Sequence, residues 1–335
     1  MKVTINDIAK MADVSKATVS RVINNKPEGV SSETRDRILK LVEEFKFQPS
    51  MIARGLVTKK TKTIGLIIPD ITNPFFPQLV RGAEDYANKL GYNIFLSNSD
   101  KSVMKEEKYL KAFVEKSVDG VILTSNISAT DSHFKLLKEN NIPCVLMDRP
   151  VEYEDYEAGV FLDNIKGAYI ATKFLLDHGH EKIVLIDGPL SVATSVNRLE
   201  GYKKAHNEKE IQVNTDLIVE GDYLINSGFK LINKLIDEGN TFTAVFAGND
   251  MMAIGVIKAL KSKNIRIPED VEVIGFDNIE ISEIIEPALS TISQPAYEMG
   301  VQGAKLLIKL IEGKKLKNKN VIFEPELIIR GTTRG

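Results

Sequence analysis

The chain holds one cysteine, Cys144, in 335 residues. An intrachain disulfide and a cysteine-based zinc site are therefore excluded. No apolar run approaches the ~18 residues needed to cross a bilayer. Met1 to Lys10 has no apolar stretch of the kind a secretory signal carries. None of the 22 glycines stands two positions from another, so the dinucleotide fingerprint is absent. There is no G-x-S-x-G, and no Gly-Lys followed by Ser or Thr as in a phosphate loop. The four histidines are His133, His178, His180 and His206, and the closest pair flanks Gly179 as a helix end would. A two-residue spacing does not put both rings on one helix face. No enzymatic activity, metal site or cofactor is expected, and the expected location is a reducing cytoplasm.

At 43% hydrophobic and 27% charged residues, the composition is that of an ordinary globular protein, and the length suits two or three domains. The charge is unevenly placed. Residues 1–62 carry 13 Lys and Arg against 7 Asp and Glu, a net of +6. The remaining residues carry 31 against 39, a net of −8. A small basic head on a larger acidic body points to a polyanionic partner for the head, or else to a solvated helical surface.

Within the head, Ile5, Ile8, Ala9 and Ala12 follow the spacing of one helix face, with Thr4 as cap and Asp7 three residues on. Ala12-Asp13-Val14 interrupts the pattern. Ser15 caps a second short helix that buries Val19, Val22 and Ile23 and offers Lys16, Ala17, Ser20, Arg21 and Asn24 to solvent. A third helix is expected from near Ser31, burying Ile38, Leu41, Val42 and Phe45 and ended by Gln48-Pro49. Two short helices joined by a tight turn, with a third closing the core, form a helix-turn-helix. The second helix would be the reader of base edges, with Arg21 placed to fork onto a guanine. A three-helix mini-domain without a partner remains the alternative on spacing alone.

Thr4-Ile5-Asn6-Asp7-Ile8-Ala9 followed by Val14-Ser15-Lys16-Ala17-Thr18-Val19-Ser20-Arg21-Val22-Ile23-Asn24 resembles the DNA-binding signature of LacI/GalR-type bacterial transcription regulators. The resemblance runs along essentially the whole chain. It implies DNA contacts from Thr4, Ser15, Lys16, Ala17, Thr18, Ser20, Arg21 and Asn24. It also implies a hinge helix over Pro49–Leu56 that orders on operator DNA, with Leu56 wedged into the minor groove and Ala53 one turn before it. Such a short helix, weakened by Gly55, is marginal by itself. That would make it the element a change in the body could order or melt.

From Ile64 the pattern changes to short apolar runs alternating with helical segments: Ile64–Ile68, Asn93–Leu96, Val121–Leu123, Val145–Met147, Val184–Ile186, Ala244–Ala247 and Val271–Ile274. Buried strands alternating with helices imply parallel sheets. The expected class is α/β. A three-helix helix-turn-helix head (1–49) and a hinge helix and linker (50–62) precede a two-lobed body with two parallel sheets. The resemblance implies that this body is like periplasmic sugar-binding proteins. Its first lobe would comprise 63–161 with 292–322 and its second 162–291 with 323–335, with crossovers near Phe161, Thr291 and Phe323.

Ligands of open α/β sheets bind at the carboxyl ends of strands. The residues following the strands are Asp70 and Asn73-Pro74-Phe75-Phe76, Asp148-Arg149, Gly188-Pro189-Leu190 with Arg198 on the next helix, Asp222-Tyr223, Asn249-Asp250 and Asp277-Asn278. Gln294 lies near the last crossover. Carboxylates, amides and guanidinium groups interleaved with aromatics suit a hydroxyl-rich ligand, whose apolar ring face can lie on an aromatic. Each of these residues alone serves as well as a helix cap, a turn or a core side chain; their convergence singles out the set. The resemblance implies sugar contacts from Asn73, Phe75, Phe76, Asp148, Arg149, Arg198, Tyr223, Asn249, Asp277 and Gln294. Ser195-Val196-Asn197 replaces a stretch where some pentose-binding relatives carry a second arginine, so no specific sugar is assigned, and the two arginines Arg149 and Arg198 leave a sugar acid or phosphate open.

The expected protein is thus a repressor of carbohydrate genes whose partners are operator DNA, a small effector and a second copy of itself, with no membrane partner. The ending Arg330-Gly331-Thr332-Thr333-Arg334-Gly335 has no leucine heptads, which favours a dimer over a tetramer. Alternatives are a regulator sensing a purine, a sugar acid or phosphate, or a phosphocarrier protein, and more remotely a sugar-binding receptor. A regulator would work beside the nucleoid.

Overall fold

The computed structural model describes residues 3–23, 28–47, 60–124, 131–151 and 156–334. The chain divides into two compact units, Met1–Thr61 and Lys62–Gly335.

The first unit contains α1 (Ile5–Met11), α2 (Lys16–Ile23) and α3 (Ser32–Glu44). Its start is a full capping box: Asp7 N donates to Thr4 Oγ1 at 3.4 Å and Thr4 N donates to Asp7 Oδ2 at 2.9 Å. Ser15 Oγ accepts from Thr18 N at 3.1 Å and starts α2. Asp13, in the turn between them, takes φ 48. Ile8, Ala9, Ala12, Val19, Val22 and Ile38 are buried together. The end of α3 departs from expectation. It stops at Glu44, before Gln48-Pro49, and Phe45 is 41% exposed. Lys46 adopts φ 45, its N–H reaches Glu43 O, and the Phe47 N–H reaches Val42 O at 2.9 Å. That is a Schellman closure, and it delivers Phe47 to the core in place of Phe45. The hinge positions Ala53 and Leu56, and Asn24, lie outside the described residues.

The second unit holds two six-stranded sheets. In chain order its elements begin with β1 (Thr63–Ile68), α4 (Phe75–Lys89), β2 (Asn93–Asn98), α5 (Val103–Glu115), β3 (Gly120–Leu123), α6 (Asp131–Glu139), β4 (Cys144–Met147) and β5 (Ala158–Leu162). The next are α7 (Asn164–Asp177), β6 (Ile183–Asp187), α8 (Ala193–Glu208), β7 (Ile218–Glu220), α9 (Ile225–Asp237), β8 (Ala244–Ala247), α10 (Asp250–Ser262) and β9 (Glu272–Asp277). The last are α11 (Ile281–Ile284), β10 (Ser290–Ser293), α12 (Ala296–Ile311), β11 (Asn320–Phe323) and β12 (Glu326–Ile328).

The strand order is β11-β5-β4-β3-β1-β2 in one lobe and β12-β10-β9-β8-β6-β7 in the other. Pairing is parallel except for β12, which runs antiparallel to β10 at the sheet edge. The chain therefore changes sheet after β5, after β10 and after β11. Gln294 lies at the second of these crossings rather than the last.

Side-chain alternation splits each sheet between two apolar clusters. Ile64, Leu66 and Ile68 face α4 and α12, while Ile67 faces a cluster with Phe113 and Phe134. In the other lobe Val184 and Ile186 join one cluster, and Ile183 and Leu185 the other. β2 is not the buried strand its apolar run suggests. It is the sheet edge, and Phe95 and Leu96 are 44% and 43% exposed. Among the described residues no helix is long and apolar enough to cross a membrane.

Candidate functional site

In the first unit, burial of Val19 and Val22 turns the rest of α2 outward. Lys16, Ala17 and Arg21 are exposed, Thr18 and Ser20 are half-buried, and Thr4 and Ser15 are exposed at the helix starts. Small side chains around an arginine leave room for a close backbone approach to a duplex.

In the second unit, the carboxyl ends of the two sheets face a common cavity. Asn73, Phe75, Phe76, Asp148, Arg149, Arg198, Tyr223, Asn249, Asp277 and Gln294 all line it. Pro69, Asp70, Lys101 and Thr194 complete the lining. Three of these residues stand at strand or loop ends with left-handed backbone: Asp148 at φ 67, Tyr223 at φ 68 and Asp277 at φ 114. Such conformations are unfavourable for side chains of this size and concentrate at functional positions.

Arg149 bridges the lobes. Its guanidinium lies 5.9 Å from the Phe76 ring centre and 5.8 Å from that of Tyr223. Nε comes within 3.4 Å of Asp148 Oδ2, yet neither Nε nor Nη1 has a hydrogen-bond partner. Gln294 donates to Asp277 Oδ1 at 2.6 Å, and its own Oε1 is buried and unpartnered. Buried donors and an acceptor without partners carry a desolvation penalty that a bound polar molecule would relieve.

Arg198 is held from three sides. Nε donates to Asn164 Oδ1 at 2.9 Å, Nη1 donates to the Gly248 carbonyl, and the guanidinium carbon lies 3.9 Å from the Phe276 ring centre. Burial opposes its charge, and Tyr223, Asp187, Asp277 and Asp148 more than offset that opposition. The carboxyls respond in turn. Burial raises Asp277 well above the usual range, against the pull of Arg198, and raises Asp148 against Arg149 and Arg198.

Tyr223 is fixed by both its ring and its backbone. Its hydroxyl is 2.5 Å from Ser195 Oγ, its carbonyl accepts from Asn249 Nδ2 at 3.0 Å, and its ring lies against Gly188, where a Cβ would come within 2.1 Å. Asn249 also accepts from Met252 N at 2.9 Å, so the cap role and the cleft role fall on one side chain. Phe75 and Phe76 meet edge to face at 5.2 Å and belong to the lobe core as well as to the cavity wall.

Sequence reasoning passed over Lys101, Thr194, Asn164 and Asp187. Asp187 ends β6 and is buried; Oδ1 accepts from Gly188 N at 2.7 Å and Oδ2 has no partner. Burial pushes its carboxyl up to about 6, against Arg198 and the Gly188 N–H. Its place at a strand end was the available signal.

Comparison with known proteins covers both units. The family model for bacterial regulatory proteins of the lacI family matches residues 4–50. The model for periplasmic binding proteins and the sugar-binding domain of that family matches residues 61–329. The chain is 38% identical to catabolite control protein A of Priestia megaterium, over all of both chains. It is 40% identical to the ribose operon repressor of Halalkalibacterium halodurans, over 99% of this chain and 97% of the other. A crystal structure of the lac repressor dimer bound to operator and an anti-inducer aligns with a TM-score of 0.89 at 27% identity, covering 100% of each chain.

Proposed function

The chain belongs to the LacI family of bacterial regulatory proteins, and on that footing we propose that it is a transcriptional repressor of carbohydrate genes whose grip on DNA a sugar controls. Two copies bind a palindromic operator, each offering α2 to a major groove with Ser15, Lys16, Ala17, Thr18, Ser20 and Arg21 toward the duplex. The residues from 50 to 62, Ala53 and Leu56 among them, add to the head's contact with DNA. The body comprises two lobes that part at the ends of β5, β10 and β11, one or two residues beyond the boundaries expected at 161, 291 and 322. The protein works in the cytoplasm, at the nucleoid.

The observation that carries the ligand half is the convergence of Arg149, Arg198, Asp148, Asp277, Asn249 and Gln294 with Phe76 and Tyr223 on one cavity. Arg149 Nε and Nη1 are donors in need of an acceptor, and Gln294 Oε1 is an acceptor in need of a donor. A vicinal diol supplies both, and the aromatic rings suit the C–H face of a sugar.

The test is a gel shift on the palindrome upstream of the gene, with random duplex as control, against ribose, hexoses, a sugar acid, a sugar phosphate and a purine. Selective binding of the palindrome and a change with a sugar are expected. No preference over random duplex defeats the operator half, and no response to any sugar defeats the effector half.

A further inference from the structure

Lys101 stands in the loop between β2 and α5, at the rim of the cavity. Its Nζ donates to the carbonyl of Asp222 in the opposite lobe at 2.7 Å. That carbonyl belongs to the peptide leading directly into Tyr223, the residue at φ 68 whose own carbonyl is held by Asn249. The peptides on both sides of Tyr223 are thus anchored, one from within its lobe and one from across the mouth of the cleft.

The loop carrying Lys101 is built to aim it. Asp100 and Lys101 take φ 49 and φ 61, two successive left-handed residues neither of which is glycine. Single residues visit this region; consecutive ones need support from their surroundings. Support comes from Asn98, whose Nδ2 donates to Asp100 Oδ1 at 2.5 Å and whose Oδ1 accepts from Ile71 N at 2.8 Å. Lys105 pairs with the other oxygen of Asp100. Lys101 N donates to Pro69 O at 3.2 Å, which ties the loop to the end of β1.

We propose that Lys101 is a positioning residue that couples closure of the two lobes to the seating of Tyr223. The proposal rests on the cleft being the ligand site only for its consequence, not for its mechanism. With the lobes together, the ammonium holds the Asp222 carbonyl and fixes the backbone that presents the Tyr223 ring. With the lobes apart, that carbonyl loses its donor, and Tyr223 keeps only the Asn249 bond on its backbone. Ligand retention follows, since opening the mouth also frees the backbone on one side of Tyr223 and leaves the ring on its Ser195 and Gly188 contacts alone.

The test uses the full chain with Lys108→Cys and Lys203→Cys, one exposed site on each lobe, carrying spin labels; Cys144 is buried and stays unlabelled. Distance distributions are compared for this parent, for Lys101→Met, which keeps the stem and removes the donor, and for Lys101→Arg. Lys111→Met, a surface lysine paired with Glu107, is the control. Without ligand, Lys101→Met is expected to lengthen and broaden the distribution and to shift the Tyr223 ring resonance, assigned through Tyr223→Phe. Lys101→Arg is expected to restore both in part. With D-ribose as the probe, dissociation from Lys101→Met is expected to be roughly ten-fold faster, the scale of one charge-assisted hydrogen bond. Distributions and a Tyr223 resonance unchanged in Lys101→Met would overturn the proposal. A ligand-free shift in Lys101→Met with no response to ribose or any other sugar supports the latch while removing the sugar reading.

Discussion

The guanidinium of Arg198 lies 3.9 Å over the ring of Phe276 while its Nε donates to Asn164 at 2.9 Å. One strand end and one helix start of the same lobe thus set the pose of a single buried cation. Arg198→Lys keeps the charge and loses the planar fork, so ligand affinity is expected to fall at least ten-fold with modest loss of stability. Arg198→Ala leaves Asp148, Asp187 and Asp277 without their shared cation and is expected to cost about 3–5 kcal/mol. Calorimetric titration and urea unfolding separate the two effects, and equal behaviour of the two variants would contradict the role given to the fork.

Asp187 gives a pH dependence with a definite sign. Its folded-state carboxyl is raised from 3.8 to about 6, so between these values the folded chain binds more protons than the unfolded one. The contribution to stability is full below the unfolded value and is lost as pH rises through the folded one. Asp187→Asn removes this term. Relative to the parent, the variant is expected to gain on the order of 2–3 kcal/mol between pH 4 and pH 8. Urea midpoints at the two pH values measure it; a gap between parent and variant that does not change with pH would refute the assignment.

Gly188→Ala tests the seat of Tyr223. A Cβ there would stand 2.1–2.5 Å from three atoms of the ring and its hydroxyl. The ring must move, and the 2.5 Å contact with Ser195 breaks. Ligand affinity is expected to drop by an order of magnitude or more while the far-ultraviolet circular dichroism stays that of the parent. Retained affinity would show that Tyr223 has no part in holding the ligand.

On the DNA side, Arg21→Ala is expected to weaken operator binding by about 1–3 kcal/mol and relax selection at one base position. Ser15→Ala removes the cap on Thr18 N and is expected to cost about 1 kcal/mol of α2 stability, read as roughly five-fold faster amide exchange along that helix. Uniform loss over all operator positions with Arg21→Ala would move that residue from base reading to phosphate contact.

Local chemistry was legible in the sequence where one interaction dominates. Thr4 with Asp7 and Ser15 with Thr18 need only the spacing of a capped helix, and both caps form. Most of the cavity-lining side chains were legible because they follow strands or stand on the next helix, and parallel strands end on one side. What failed is what depends on distant packing. Alternation cannot reveal that β2 is an edge, so Phe95 and Leu96 read as buried. Phe45 and Phe47 compete for one core position, and the left-handed turn at Lys46 decides it. Lys101 carries no motif; its meaning comes from Asp222, 121 positions away. Asp187 directly follows the apolar run Ile183–Ile186, where a polar residue is an ordinary strand end; only its burial beside Arg198 sets it apart.

The order in which strands join has a consequence for synthesis on the ribosome. Sheet β11-β5-β4-β3-β1-β2 takes its edge strand from Asn320–Phe323, and α12, which covers one of its faces, spans Ala296–Ile311. A nascent chain that has emerged only as far as β9 therefore exposes Leu79 and Met147, which α12 will later cover. The amino-terminal lobe, although begun first, is completed among the last, and products of premature termination present a sticky apolar face to chaperones and proteases.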